Sequence, residues 1–279
     1  MSVQSRERFG EIVRAGGAAG DPNDVRMDLA ALLLAAENRA DETVSGDNLA
    51  RYLTAGLQSL DRLADEVPAT GRDDERLRAV LAQFHGEATD YQRLEASLLP
   101  AVLTRQQGLP ILLATVWTEV ARRVDIQAYG VGLPGHFVVG IGDPAGTRVL
   151  VDPFRHGCLL PYDQARELAS AAGRTLRVED LRPHDPIDTI DRMLTNIRGW
   201  AARRPERART RLWCCELALL LPRHDLNLRR DYAEALIAVG RYIEGAARLE
   251  EYADLVAGPM PLEADHARRT ARQARSRLN

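Results

Sequence analysis

From about residue 24 to 99, apolar positions recur every three or four residues. Met27, Leu29, Leu32 and Leu33 are followed by Leu49, Leu53, Leu57 and Leu60, then by Leu77, Val80, Leu81 and Phe84. That period predicts amphipathic helices. Ser45-Gly46-Asp47 and Pro68-Ala69-Thr70-Gly71 interrupt the runs with cap and turn residues, dividing the stretch into about three helices. Between about 100 and 185 the pattern changes. A strong helical run over 110–123 begins at Pro110, which suits a first helical turn because its missing N–H is not needed there. β-type runs follow at 128–133, 136–141 and 148–152, the last two separated by the turn-forming Gly142-Asp143-Pro144-Ala145-Gly146.

After Pro186 the helical period returns, through Leu194, Ile197 and Trp200, then 212–221, then 232–255. Leu221-Pro222 and Gly258-Pro259 close helical runs 37 positions apart, near the ~34 of a tetratricopeptide unit. Small and aromatic residues from Tyr232 to Ala247 suit close helix pairing. The expected fold class is α+β, in three parts: a helical N-terminal region (1–99), a small antiparallel-sheet core with one central helix (100–185), and a short tetratricopeptide-like helical region (186–279).

Composition narrows the chemistry. With 279 residues, 45% hydrophobic and 28% charged, and a net charge of -3, the chain has the makeup of a globular protein. All 37 basic residues are arginine, so pyridoxal phosphate aldimines, Schiff-base lysines and Walker-type phosphate lysines are excluded. Three cysteines, at 158, 214 and 215, offer neither a disulfide framework nor a CxxC zinc site, which points to a reducing cytoplasm. The opening residues lead into no apolar h-region, and no uncharged apolar run approaches the ~18 residues of a membrane span, so neither export signal nor membrane association is expected. Arg268, Arg269, Arg272, Arg275 and Arg277 cluster near the end, but the overall charge gives no basic field for nucleic acid, and these read as a solvated helix face.

The hairpin supplies the candidate chemistry. With 142–146 as its loop, Ile141 faces Thr147 and His136 faces Asp152, while Phe137, Val139 and Ile141 share the other face with Val149 and Val151. A carboxylate opposite an imidazole is the orienting half of a nucleophilic site. The missing third member is best seated at a helix N-terminus, where the dipole lowers a thiol pKa, and such a helix begins at Gly108-Leu109-Pro110.

In this order the chain resembles the transglutaminase-like superfamily, in which a Gly-x-Cys helix start precedes a strand with His and a strand ending in Asp-Pro. Arg105-x-x-Gly108-x-Pro110, Glu119-Val120-Ala121-Arg122-Arg123, Pro134-Gly135-His136-Phe137 and Asp152-Pro153-Phe154-x-x-Gly157 look like its SirB-type bacterial branch, and the resemblance covers nearly the whole chain. It implies a transglutaminase-like core flanked by a helical N-terminal region and a tetratricopeptide-like C-terminal region, with His136 as base and Asp152 as orienting acid. It supplies no nucleophile, because Pro110 stands where the cysteine would sit.

Other residues compete for the missing role. Cys158 becomes a displaced nucleophile only if the turn after Asp152 folds it back towards His136, and Thr104, Thr115 and Thr118 offer hydroxyls better suited to helix capping or surface roles. His136, Asp152 and His156 together would make a three-ligand metal set, but not at a recognised compact spacing, and no metal or cofactor is expected. Packing accounts for Cys214 or Cys215, an arginine pairs with Glu119 through Arg122 or Arg123, and the core takes Trp117, Trp200 and Trp213. A purely structural His136-Asp152 pair is the plainest alternative. The leading expectation is a non-catalytic binding or regulatory module with an unidentified protein or peptide partner. Its rivals are an amide or peptide hydrolase or acyl transferase using His136 and Asp152, and a scaffold acting through the C-terminal helices.

Overall fold

A computed structural model describes residues 3–16, 25–39 and 47–277. The chain forms two compact units, the first ending at Met193 and the second beginning at Leu194. The first unit is mixed. Helices α1 (Val3–Ala15), α2 (Met27–Glu37), α3 (Asp47–Asp65) and α4 (Asp73–Leu81) precede two 3-10 turns (Ala88–Gln92 and Leu94–Ser97) and the short α5 (Leu99–Arg105). Helix α6 (Pro110–Arg123) leads into strands β1 (Ala128–Val131), β2 (Val138–Gly142), β3 (Arg148–Asp152) and β4 (Cys158–Leu159), followed by α7 (Tyr162–Ala171) and α8 (Pro186–Ala202), whose residues from Leu194 on belong to the second unit.

The expected α+β class holds, and the expected helix over 110–123 forms with those bounds. The break at 68–71 falls between α3 and α4, whereas Ser45 and Gly46 of the earlier break lie outside the described residues. Helix α1 falls within the expected helical N-terminal region, whereas helix α7 and strand β4 match no expected run. β4 is two residues long, too short to carry a period.

α6 is buried on nearly every side, from Pro110 through Ala121, and packs against α2, α3, α4, α5 and the sheet. Its one carboxylate, Glu119, is 5% exposed and is the hub of an ion cluster. Glu119 Oε2 accepts from Arg122 Nη2 at 2.7 Å and Arg123 Nη1 at 2.8 Å. Arg123 also donates to Asp28 Oδ2 of α2 at 2.8 Å and to Asp61 Oδ1 of α3 at 2.7 Å. Burial and the neighbouring Asp28 push the Glu119 carboxyl up, and the arginines oppose them. Two helices, α2 and α3, are thereby fixed to the one that enters the sheet.

The sheet is an antiparallel meander in the order β1-β2-β3-β4. Val131, Val138 and Leu150 on one face pack with Ala165 and Ala169 of α7. The hairpin register differs from the expected one: Ile141 pairs with Val149, not Thr147, and Gly142 pairs with Arg148. The loop moves one position to 143–147, closed by Asp143 N donating to Thr147 O at 3.1 Å, with Asp143 Oδ1 accepting from Ala145 N at 2.8 Å. An Asx turn outcompetes the glycine pair as the closing device. Partners shift by two residues, so each side chain keeps its face.

The second unit is all-helical: α9 (Ala208–Ala218), α10 (Asn227–Ala238), α11 (Tyr242–Val256) and α12 (Pro261–Ser276), each packed on the next. Alanines 233, 246, 253, 264, 267, 271 and 274 let these helices approach closely around Tyr252. Cys214, Cys215 and Trp213 are buried. Trp200 is not a core residue but half-exposed, with the Arg204 guanidinium 4.2 Å above its ring. Two of the terminal arginines pair with α11 carboxylates, Arg268 with Asp254 at 3.0 Å and Arg275 with Glu250 at 2.6 Å. No described helix is long and apolar enough to cross a membrane.

Candidate functional site

His136 and Asp152 meet. Nε2 of His136 lies 2.9 Å from Oδ1 of Asp152, although in strict register Asp152 ends β3 and His136 stands two residues before the start of β2. The two-residue shift leaves them on one face and diagonal, still within reach. Asp152 is 1% exposed, and the same Oδ1 accepts from Phe154 N at 3.0 Å, capping the 3-10 turn Pro153–Arg155. Oδ2 is buried without a hydrogen-bond partner. A carboxylate oxygen accepts, so Nε2 is the donor in this contact and Nδ1 is the ring nitrogen turned away from Asp152.

The main chain of His136 is fixed as firmly as its ring. Its N–H donates to Leu133 O at 3.1 Å, and its carbonyl accepts from Arg192 Nη2 of α8 at 2.8 Å. Arg192 also lies over the Phe137 ring at 5.3 Å. The Phe154 ring meets His136 edge-on at 5.9 Å and Tyr91 at 6.4 Å, so three aromatic rings run in series. Gly86 lets Phe154 sit there, since a Cβ at 86 would lie 1.9 Å from the phenyl ring.

After the capped turn the chain reverses through two left-handed residues, His156 (φ 56) and Gly157 (φ 65). Gly157 is required twice over, by its φ and because a Cβ would lie 2.3 Å from Trp117 Cη2. The reversal brings Cys158 opposite Asp152 in the β3–β4 pairing. Cys158 Sγ is 3.9 Å from Arg78 Nη2, and among the described residues no hydrogen bond joins it to His136. Pro110 is the first residue of α6 and buried.

The remaining alternatives are engaged elsewhere. Thr104, Thr115 and Thr118 donate to the carbonyls of Pro100, Ile111 and Ala114 within their own helices. His156 stacks on His85 with centroids 4.5 Å apart, its Nδ1 2.9 Å from Ala82 O, which ties the loop after β3 to the segment after α4. Among the described residues no three His, Cys, Asp or Glu side chains converge as metal ligands, so the His136, Asp152 and His156 set does not assemble. Tyr91, Gly86 and Arg192 were not singled out by the sequence. They reach the pair from outside the hairpin, and no period or motif marks them.

The family described as the transglutaminase-like superfamily matches residues 54–195, which contain both His136 and Asp152. A UPF0162 protein of Pseudomonas aeruginosa is 30% identical over 194 residues, covering 64% of this chain and 69% of that protein. A UPF0162 protein of Xylella fastidiosa is 30% identical over 180 residues, covering 62% and 63%. The protein SirB1 of Salmonella typhimurium is 30% identical over 169 residues, covering 57% and 63%.

Proposed function

The chain belongs to the transglutaminase-like superfamily, and from that premise we propose that it acts as a non-catalytic binding or regulatory module whose His136-Asp152 pair holds a peptide, amide or carboxylate group without attacking it. One observation carries the reading: Nδ1, the ring nitrogen that would accept a nucleophile's proton, has no thiol or hydroxyl hydrogen-bonded to it among the described residues, and the helix start carries Pro110. A base without an attacking atom lacks the group that covalent acyl transfer requires. The retained pair still offers a polar, oriented surface beside Phe154 and Tyr91. In this reading the helices after residue 186 form a tetratricopeptide-like appendage that contributes to partner capture.

The test measures turnover and binding on the same protein. Purified full-length chain is incubated with peptide amides and an amine donor, and its peptide capture is measured in parallel. The expected result is no turnover above buffer and a set of retained peptides lost on His136→Ala. Turnover that disappears with His136→Ala would overturn the proposal.

A second reading has its own support. Cys158 lies opposite Asp152 with the Arg78 guanidinium 3.9 Å from its sulfur. In that reading Cys158 is a displaced nucleophile of an amide hydrolase or acyl transferase. It predicts turnover abolished by Cys158→Ser as well as by His136→Ala.

A further inference from the structure

Arg192 is the cation nearest the main chain of His136, and its situation is unusual. Nη2 donates to two carbonyl oxygens, His136 O at 2.8 Å and Leu133 O at 3.5 Å. Its aliphatic and guanidinium surface is covered in part by Phe137. Among the described residues, no carboxylate pairs with it and no hydrogen bond engages its Nε or Nη1. Most other half-buried arginines of the first unit have an acidic partner: Arg6 has Glu37, Arg93 has Asp90, and Arg123 has Asp28, Asp61 and Glu119. A partly desolvated guanidinium without a counter-ion is costly, because the charge has lost water and gained only carbonyl dipoles. Burial accordingly holds Arg192 below the ordinary arginine range.

Tyr91 lies on the other side of the same site. Its hydroxyl feels the Arg192 guanidinium and the Asp152 carboxylate, and its ring stands next to Phe154 at 6.4 Å. Tyr91 is 54% exposed, and Phe154 links its ring to that of His136.

We infer that Arg192, together with Tyr91, forms a carboxylate-binding subsite beside His136, and that the occupant is a peptide presenting a free carboxylate, either its C-terminus or an acidic side chain. The uncommitted Nε–H and Nη1–H groups of the guanidinium suit a carboxylate acceptor, and the Tyr91 phenol is a further donor. A doubly charged phosphate fits less well, because the buried Asp152 carboxylate stands in the same site and, among the described residues, no arginine pairs with it. The inference rests on the binding reading above and names the chemical group that anchors the ligand.

The test uses full-length protein labelled with 15N. The Nε–H signal of Arg192, identified by its loss in Arg192→Lys, is followed together with the His136 amide. The probes are N-acetyl-glycylglycine, N-acetylglutamate amide, N-acetylglutamine amide and inorganic phosphate. At least one of the two carboxylates should shift both signals saturably, and the one that does so identifies the source. The neutral glutamine amide should bind at least about tenfold more weakly. Arg192→Lys, which keeps the charge and loses the fork, should weaken the carboxylate by a similar factor, and Tyr91→Phe by less. If Arg192→Lys does not fold, the acid-against-amide contrast in the unaltered protein still decides. Equal binding of the glutamate and glutamine amides, response to phosphate alone, or no response to any probe would each overturn the subsite. Peptide capture that depends on His136 but not on a carboxylate would overturn it too while sparing the binding reading.

Discussion

At the scale of single residues, Asp152 does three things with one oxygen's worth of bonding. It accepts a hydrogen bond from His136 Nε2, caps the turn that follows β3, and leaves Oδ2 buried without a partner. Asp152→Ala should therefore destabilise the first unit by about 1–3 kcal/mol, because it strands the His136 Nε2–H and the Phe154 N–H together. Asp152→Asn, which retains an acceptor, should cost less than half as much, and urea midpoints at neutral pH would compare the two. His184 behaves differently. Burial, then the nearby Arg192 charge, pulls its pKa below the ordinary value of about 6.5. Below that pH the unfolded chain binds a proton that the folded chain refuses, so stability should fall as pH drops from about 6.5 towards the folded pKa, by at most about 1.4 kcal/mol per pH unit. Urea midpoints at pH 7.5 and 5.5 should converge in His184→Gln if this linkage holds. The His136-Asp152 contact was legible in the sequence because strand alternation is a short-range rule. Arg192 and Tyr91 were not, because tertiary packing of distant segments brings them there.

At the scale of elements, the hairpin shows why the site survived an imperfect register. The expected pairing was off by two residues, yet a strand's faces repeat every two residues, so His136 and Asp152 stayed on one side. An error of one would have separated them. Helix α6 was readable to its ends because proline fixed its start and its apolar run was long. β4 and the left-handed turn before it carry no such signal, since two residues have no period and His156 is not a residue that announces a positive φ. The turn should nonetheless be intolerant. Gly157→Ala must place a methyl group against Trp117 in a backbone conformation that side chains avoid, and we expect a loss of about 1–3 kcal/mol. The same variant should disturb the Asp152–Cys158 pairing, readable as altered amide exchange at those two positions.

At the scale of the whole molecule, each compact unit carries its own thiol reporter. Cys158 is half-exposed in the first unit, whereas Cys214 and Cys215 are buried in the second, and burial pushes both of their thiols up, Cys215 to about 12. At pH 8 in native buffer a disulfide reagent should titrate one thiol promptly, and all three only in denaturant. Prompt reaction of two or three would contradict the burial of α9. The division into an α+β unit and an all-helical unit follows from composition along the chain: the β-branched runs are confined to 128–152, and the alanine-rich helical period returns after Pro186. The hairpin's geometry has a practical reading as well. Its loop at 143–147 stands a full strand length, about 17 Å, from the end that holds the imidazole and carboxylate. A short epitope or fluorescent tag grafted into that loop would give the protein a handle for imaging or immobilisation, while the end that holds His136 and Asp152 stays clear of it.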